Sequence, residues 1–414
     1  MKSVIAALSA AAIGCAFAQP VFGAESTKDK EKVLHSFCSE QNCADGRTAY
    51  SGLVAVNGIL YGTTWSGGTN CSNEEGCGAV FALDPKTGAE TVIYSFCSLG
   101  PPDCPDGAFP AAGMIDVNGI LYGTTSFGGT GGDNGKYCSP GCGTLFALDP
   151  STGAETVLYS FCSRQKCRDG SGPWAAPVNV NGTLYGTTLF GGRGRGIGTV
   201  FAFSLKTGAE KTLYSFCRGK TCTGGNWPYA GLIDVNGTLY GTTSRGGASE
   251  FGTAFAIDPN SGAETVLHTF AGGADGANPV GGLIEVNGML YGTTTGGTQN
   301  EGTVFSLDPA TGSETVLYSF SGDPDGGAPY GSLINVNGML YGVTGFGGAY
   351  DYGTVFAFDP ATAMEMPLYS FCSQQNCPDG STPTASLVDM NGKLYGTTST
   401  GGISRAGTVF ALKR

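Results

Sequence analysis

The sequence LIDVNGTLYGTT (residues 232–243), followed by GTAFAIDPNSGAETVLHTF (residues 252–270), is the unit that decides the fold of this chain. Its apolar run ends at Asn236-Gly237, a dipeptide that favours the type I′ turn of a two-residue β-hairpin. Pro259 fixes φ and Gly262 accepts a positive φ, so a second tight turn is predicted around them. The unit therefore predicts four antiparallel strands, which span residues 230–235, 238–243, 253–257 and 264–270.

The unit occurs seven times along the chain. The string Asn-Gly-x-Leu-Tyr-Gly begins at Asn57, Asn118, Asn181, Asn236, Asn287, Asn337 and Asn391. A glycine-rich stretch follows each copy, and after it comes a string similar to Gly-Thr-Val-Phe. Four antiparallel strands form one blade of a β-propeller, and a repeat of this length is typical of such rings. The sequence therefore predicts an all-β fold: a seven-bladed β-propeller with four-stranded antiparallel blades.

The two ends of the chain predict how the ring closes. Lys32 to Phe37 has the sequence of a fourth strand but follows no first three strands, whereas the last repeat, from about Pro383 to Arg414, lacks a fourth strand. We expect the N-terminal strand to complete the last blade beside Thr408 to Leu412, because this pairing covers strand edges that otherwise invite aggregation. Residues 32–414 then form a single propeller domain.

The repeat resembles a known family. The unit Leu-Ile-x-Val-Asn-Gly-x-Leu-Tyr-Gly-Thr-Thr, followed by Gly-Gly and by Gly-Thr-Val-Phe-x-Leu-Asp-Pro-x-Thr-Gly, is similar to the GloVer (Gloeo/Verruco) tandem repeat of bacterial exported proteins. The resemblance covers nearly all of the chain after its N-terminal segment, and it implies no particular activity, cofactor or site residue. Strand order and the Gly-Gly step also resemble kelch propellers, which is a looser analogy.

The N-terminal segment predicts export. A short positive region precedes an apolar stretch of small residues that ends in Ala16-Phe17-Ala18. Residues 1–18 are therefore predicted as a signal peptide and residues 19–31 as a linker, with cleavage after Ala24 as the alternative. Cys15 also lies in a loose match to a lipoprotein box. A secreted, periplasmic or extracellular location is expected.

Charge and hydropathy exclude some partners. The formal net charge of −12 argues against nucleic acid or an anionic membrane surface as a partner. No segment is long enough and apolar enough to be predicted as a membrane span.

The cysteines predict seven disulfides. Apart from Cys15, they form closely spaced pairs: Cys38/Cys43, Cys71/Cys77, Cys97/Cys104, Cys138/Cys142, Cys162/Cys167, Cys217/Cys222 and Cys372/Cys377. Such pairing is typical of an oxidising compartment. Zinc is the alternative, but a zinc site needs cysteine pairs that converge on one ion, whereas these pairs are dispersed one to a loop. Each disulfide closes a short loop and contributes roughly 2 kcal/mol in the chain-entropy model.

One face of the ring is the predicted functional surface. Loops between second and third strands share a face with the connections between blades, and we name this the loop face. All seven cysteine pairs lie in or at the edge of these loops, and length variation among the repeats concentrates there. Variable, cross-linked loops on a rigid scaffold are where binding residues are usually placed.

Aromatic residues recur on the loop face. The candidates for ligand binding are Tyr50, Trp65, Phe109, Trp174, Trp227, Tyr229 and Tyr330. They are interpreted either as a stacking platform for sugars or peptide side chains, or as packing between blades at the rim. Trp174 and Trp227 are the strongest candidates, because they lie among glycine and proline, where packing partners are fewer.

Charged residues of the same loops have two interpretations. Arg193 and Arg195 are candidates for clamping a carboxylate-bearing ligand such as a uronate, and solvated loop charge is the alternative. Acids are also present there: Glu74, Glu75, Asp133, Glu250, Glu301 and Asp351. Asp-Gly pairs recur in the blade connections, at Asp45, Asp106, Asp169, Asp275, Asp325 and Asp379. They are interpreted as turn formers, with calcium binding as the alternative.

Three functions fit these features. The leading hypothesis is an exported, non-catalytic binding module that recognises a glycan or a surface partner through the loop face. The alternative is a polysaccharide lyase or glycosidase that uses loop carboxylates and arginines, and the third is a passive envelope scaffold. His35 and His268 occupy the tyrosine position of the fourth strand and are interpreted as structural. No catalytic residue, metal or cofactor is predicted, and a monomer is expected.

Overall fold

A computed structural model describes residues 31–414 except 72–75, 101–102, 133–137 and 139–140. In this part of the chain 28 strands form seven four-stranded antiparallel sheets. The predicted signal peptide and all of the predicted linker except Glu31 lie outside the described residues. Among the described residues, helical geometry is confined to three single 3-10 turns, Gln41–Cys43, Gln165–Cys167 and Gly273–Asp275. No helix in the described part of the chain has the length and hydropathy to cross a membrane.

The strands follow one another blade by blade. Blade one contains β2 (Val54–Val56), β3 (Ile59–Thr64), β4 (Ala79–Leu83) and β5 (Glu90–Ser95). Blade two contains β6 (Ile115–Val117), β7 (Ile120–Thr125), β8 (Thr144–Asp149) and β9 (Ala154–Ser160). Blade three contains β10 (Val178–Val180), β11 (Thr183–Thr188), β12 (Thr199–Ser204) and β13 (Glu210–Ser215). Blade four contains β14 (Ile233–Val235), β15 (Thr238–Thr243), β16 (Thr253–Ile257) and β17 (Glu264–Thr269). Blade five contains β18 (Ile284–Val286), β19 (Met289–Thr294), β20 (Thr303–Leu307) and β21 (Glu314–Ser319), and blade six contains β22 (Ile334–Val336), β23 (Met339–Thr344), β24 (Thr354–Asp359) and β25 (Met364–Ser370). Blade seven contains β26 (Val388–Met390), β27 (Lys393–Thr398), β28 (Thr408–Lys413) and the N-terminal β1 (Glu31–Ser36).

The predicted closure is confirmed. The last sheet has the order β1-β28-β27-β26, so the N-terminal strand is the outer strand of the seventh blade. Glu31 pairs with Leu412 and Ser36 pairs with Thr408. β1 begins at Glu31, one residue before the predicted start of the domain.

The hairpin turns are of the predicted type, but the first strands are shorter than predicted. Asn236 has a φ of 53° and Gly237 a φ of 83°, and both values are positive as a type I′ turn requires. The first strand of this blade is Ile233–Val235 rather than residues 230–235. Ala230 turns instead to the neighbouring blade, where its carbonyl accepts a hydrogen bond of 3.0 Å from the Thr187 hydroxyl.

The hydrophobic core lies between blades. Phe216, after the fourth strand of blade three, packs edge to face on Phe255 of blade four, with ring centroids 5.2 Å apart. Phe37 and Phe81 make the same contact at the ring closure, at 5.1 Å. Because each blade supplies apolar residues to both neighbours, no blade buries its core alone.

The seven predicted disulfides are present, and each lies on the loop face. They join Cys38 to Cys43, Cys71 to Cys77, Cys97 to Cys104, Cys138 to Cys142, Cys162 to Cys167, Cys217 to Cys222 and Cys372 to Cys377. Five of them close the turn that follows a fourth strand. This cross-linking limits the freedom of the loops that carry the candidate site.

Candidate functional site

The Asp-Gly pairs act as turn formers in the blade connections. The Asp169 carboxylate accepts a hydrogen bond of 2.7 Å from the Tyr159 hydroxyl and one of 2.8 Å from the backbone N–H of Ser163. Asp106, Asp325 and Asp379 have equivalent partners. These bonds tie each connection to the fourth strand before it, which supports the interpretation as turn formers.

The two histidines take the place of the tyrosine in this arrangement. His268 Nε2 lies 3.2 Å from both carboxylate oxygens of Asp275, and His35 Nε2 lies 3.2 Å from Asp45. Both imidazoles are therefore bound to the aspartate of the same connection, as Tyr159 is. This geometry supports a structural role for His35 and His268.

Possible metal ligands come together in three groups among the described residues. Two of the groups consist of cysteines that are joined in disulfides. The third contains His268, Asp275 and Glu314, whose ligand atoms lie within 4.8 Å of one another. Because His268 and Asp275 are already bonded to each other, this group is explained by the blade connection.

Five of the predicted aromatic residues surround one cavity at the mouth of the central channel. We name it the aromatic basin; its volume is about 520 Å³. Its lining consists of Tyr50, Ala111, Trp174, Trp227, Tyr229, Ser244, Arg245, Asn278, Val280, Thr295, Tyr330 and Thr384. Below it a space of about 300 Å³ is lined by the segments that precede all seven first strands.

The rings of the basin differ in exposure. Tyr50 is 42% exposed and Trp227 is 37% exposed, whereas Trp174, Tyr229 and Tyr330 are half-buried. The Trp174 and Tyr229 rings meet edge to face at 6.0 Å. Burial raises the pKa of the Tyr330 phenol, so this hydroxyl stays protonated and able to donate. The basin thus presents fixed aromatic walls and two exposed rings.

Trp65 and Phe109 do not line the basin and belong to the packing around it. The Trp65 ring contacts Phe109 at 5.3 Å, Trp174 at 5.4 Å and Tyr50 at 6.1 Å. Phe109 also packs on Phe127 at 5.8 Å. For these two residues the geometry favours packing at the rim over contact with a ligand.

Trp227 has a backbone conformation that is unusual for a large side chain. Its φ is 55°, in the left-handed region that Gly and Asn occupy most readily. The equivalent position has a positive φ in every blade, where it is occupied in chain order by Thr48, Phe109, Gly172, Trp227, Asn278, Ala328 and Thr382. The N–H of Trp227 donates to the Ile197 carbonyl of the preceding blade at 3.2 Å, which holds this conformation. The conformation therefore belongs to the repeat, and what distinguishes Trp227 is a large ring that lines the basin and is 37% exposed.

Polar groups complete the basin. Arg245 follows the second strand of blade four and lines the basin beside Trp227. The side-chain oxygens Oδ1 of Asn278 and Oγ1 of Thr384 are buried and accept no hydrogen bond from the described residues. Asn278 and Thr384 could not be predicted from the sequence, because a single polar residue in a connection gives no signal of its own.

Arg193 and Arg195 lie away from the basin. They line a separate cavity of about 670 Å³ on blade three, together with Lys166, Arg168 and Phe190. The predicted site residues therefore fall into two places. Arg168 was not selected from the sequence, although it belongs to a basic stretch that a running count of charge along the chain detects.

Three of the predicted loop acids are described by the structure, and none of these three lines the basin. Glu250, Glu301 and Asp351 lie in loops of blades four, five and six; the Asp351 carboxylate accepts a bond of 3.2 Å from the backbone N–H of Gly347. Glu74, Glu75 and Asp133 lie outside the described residues.

Fold and disulfides together define a disulfide-linked β-propeller, which fits an exported binding or scaffold module. The chain belongs to the family of the Gloeobacter/Verrucomicrobia repeat, whose model matches residues 134–325 and 275–414. This match confirms the resemblance seen in the repeat. The comparison with curated proteins gave no match.

Solved structures share the fold at low identity. Two structures of an extracellular domain from B. thetaiotaomicron, described as part of a two-component or one-component system, are 10% identical, with TM-scores of 0.58 and 0.59. They match 92% of this chain, which spans only 39% and 40% of theirs. An oligogalacturonate lyase from Vibrio parahaemolyticus is 9% identical, with a TM-score of 0.51 and coverage of 92% and 93% of the two chains. Such likeness shows the propeller fold alone.

Proposed function

We propose that this protein is an exported, non-catalytic binding module that holds a glycan in the aromatic basin. One observation carries the proposal: aromatic rings from blades one, three, four and six converge on a single cavity. Trp227 reaches it from a position that four other blades fill with Thr48, Asn278, Ala328 and Thr382. A surface protein whose exposed side chains stack on the same rings is the other ligand that this site accommodates.

The chemistry of the basin suits a sugar. Pyranose rings have an apolar C–H face that stacks on tryptophan and tyrosine, while their hydroxyl groups need hydrogen-bond partners. Arg245 and the Tyr330 hydroxyl are hydrogen-bond donors at the wall of the basin. Rigid rings and disulfide-linked loops reduce the entropy that is lost on binding.

The test is a binding assay against a panel of neutral and acidic polysaccharides in which released ends are measured in the same samples. We expect saturable binding without new reducing ends or unsaturated uronates, and loss of binding in the Trp174→Ala/Trp227→Ala variant. Phe109→Ala is the matched control, because Phe109 lies on the same face but outside the basin.

Each other outcome counts against the proposal in a different way. Released ends would overturn it in favour of a polysaccharide lyase or glycosidase. If binding survives the loss of both tryptophans, the ligand binds outside the basin. No binding across the panel would favour a protein partner or a passive scaffold.

A further inference from the structure

Basic residues are concentrated in one part of an acidic protein. Between residues 164 and 220 the chain has nine lysines and arginines but only two acids, Asp169 and Glu210, whereas the whole chain has a formal charge of −12. The nine are Arg164, Lys166, Arg168, Arg193, Arg195, Lys206, Lys211, Arg218 and Lys220. This stretch covers blade three and the connections on either side of it.

Two adjoining cavities collect seven of these cations. The first, of about 670 Å³, is lined by Lys166, Arg168, Arg193 and Arg195. The second, of about 430 Å³, is lined by Arg164, Arg168, Arg193, Lys211 and Arg218. Arg168 and Arg193 line both cavities, so the two adjoin, and we name them together the basic cleft.

The positive charge of the basic cleft is not neutralised by the protein. Glu210 is the one acid among its lining residues, and it is paired with Arg164 Nη2 at 2.8 Å. Within the described residues, Arg168, Arg193 and Arg195 make no ion pair. Arg168, Arg193 and Arg195 are exposed. Their guanidinium groups are therefore available to an anion.

The loop that carries Arg193 and Arg195 is held between two disulfide-linked connections. The N–H of Gly192 donates to the Cys167 carbonyl at 2.7 Å, and the N–H of Arg195 donates to the Cys217 carbonyl at 3.4 Å. Gly194 approaches the next connection so closely that a Cβ there would lie 2.7 Å from the Cα of Arg218. The two arginines are thus presented from a supported backbone, which limits the entropy lost when they bind a ligand.

We infer that the basic cleft binds a carboxylate-bearing oligosaccharide, an oligomer of uronic acids. A guanidinium group is planar and binds a carboxylate through two parallel hydrogen bonds, so a cleft with several arginines can pair with several acids of one chain. Phe190, which is 47% exposed in the same cleft, supplies an apolar face for a sugar ring. This inference deepens the proposed function and rests on it, because it names the charge of the glycan and places a second contact away from the aromatic basin.

The test compares binding of three probes to the full oxidised protein: an oligogalacturonate, a neutral malto-oligosaccharide of equal length, and oligothymidylate of similar charge. Titrations are made at ionic strengths of about 0.01 M and about 0.15 M. We expect the oligogalacturonate to bind most tightly and its affinity to fall with salt. In Arg193→Glu/Arg195→Glu its affinity falls by about tenfold or more.

Two further variants keep the test decisive. Lys86→Glu/Arg405→Glu makes the same change of net charge at exposed positions outside the cleft, and its affinity should stay within about twofold of the parent. Arg193→Gln/Arg195→Gln removes the charges without adding acids, and it should show an intermediate loss. Equal loss in the Lys86/Arg405 control, or equally tight binding of oligothymidylate, overturns the inference.

Trp227→Asn separates this inference from the proposed function. If that variant loses oligogalacturonate binding and the arginine variants do not, the cleft inference fails and the basin stands. If only the arginine variants lose binding to every glycan, the basin proposal fails and the cleft stands. Absence of oligogalacturonate binding in the parent protein overturns the inference outright.

Discussion

The hydroxyl of Thr397 donates a hydrogen bond of 2.9 Å to the backbone carbonyl of Ser51, although the two residues lie 346 positions apart in the chain. Thr397 is in the second strand of blade seven, and Ser51 precedes the first strand of blade one. The same bond joins other neighbouring blades around the channel, as between Thr242 and Gly281 at 3.2 Å. The closing interface therefore has the same geometry as the interfaces between consecutive blades.

Replacing Thr397 by valine should cost about 1 kcal/mol of the free energy of unfolding, because one buried hydrogen bond is lost while the shape is kept. The sixth blade already has Val343 at this position, which shows that the fold accommodates the side chain. Chemical denaturation provides the measurement. Thr242→Val is the matched control, and its loss should agree within about 0.5 kcal/mol. A much larger loss for Thr397→Val would mean that the closing interface depends more on this hydrogen bond than the other interfaces do.

Trp227→Asn should remove ligand binding at little cost in stability. Asparagine suits the φ of 55°, so relief of backbone strain offsets the loss of a side chain that is already 37% exposed. We expect the free energy of unfolding to change by about 1 kcal/mol or less, and glycan affinity to fall by about tenfold or more. Denaturation and a glycan titration on the same sample measure the two effects.

Phe109→Asn is the control for this experiment, since Phe109 has the same φ of 55°. Its ring packs on Trp65 and Phe127 and does not line the basin. It should lose roughly 1–3 kcal/mol of stability while it keeps its affinity. Relief of backbone strain is common to both variants, so if Trp227→Asn is as destabilised as Phe109→Asn, the tryptophan is a packing residue.

The fold could be predicted because its determinants are local and repeated. An Asn-Gly pair specifies its hairpin wherever it occurs, and the fourth-strand sequence at Lys32 to Phe37 has only one unpaired strand to join. The length of the first strand was predicted less well. Ala230 is apolar and could extend the strand, but its carbonyl bonds to Thr187 of another blade, and no pattern within one repeat indicates that contact.

The candidate site could be predicted only in part. The side chains that line the basin come from separate blades, so their convergence depends on the diameter of the ring rather than on sequence spacing. Arg193 and Arg195 are on the predicted face, yet the structure places them in a different cavity from Trp227. A sequence shows which face a loop occupies, but it does not show which loops meet there.

Gly241→Ala should destabilise the propeller. A Cβ at this strand position would lie 2.7 Å from Cζ of Phe255 and 2.8 Å from Cδ2 of Leu232, both in the core between blades. Overpacking of this kind costs roughly 1–3 kcal/mol. Gly219→Ala is the control, because its nearest neighbour is 3.8 Å away and its φ is ordinary. Equal stability of the two variants in chemical denaturation would contradict the close packing described here.

A ring of buried glutamates lies between the blades. Each fourth strand has a glutamate at or next to its first residue: Glu31, Glu90, Glu155, Glu210, Glu264, Glu314 and Glu365. Burial, and then the Asp106 charge across the interface, raise the pKa of Glu155 to about 8. Burial raises the pKa of Glu90 and Glu314 to about 7 by a similar route. The folded protein therefore binds protons at these sites more tightly than the unfolded chain does.

The stability of the propeller should fall as the pH rises from about 4.5 to about 8. A carboxyl group whose pKa is raised by folding stabilises the native state below its unfolded pKa, and that contribution is lost as the pH passes the folded pKa. Thermal denaturation at a series of pH values measures the effect. Glu155→Gln removes one of the titrating groups, so its stability should fall less steeply with pH than that of the parent, whereas the exposed Glu250→Gln should follow the parent. A parent stability that rises between pH 5 and pH 8 would contradict the prediction. Such a slope requires that the unfolded chain binds more protons than the folded protein, so the raised pKa of these glutamates would not dominate the pH dependence.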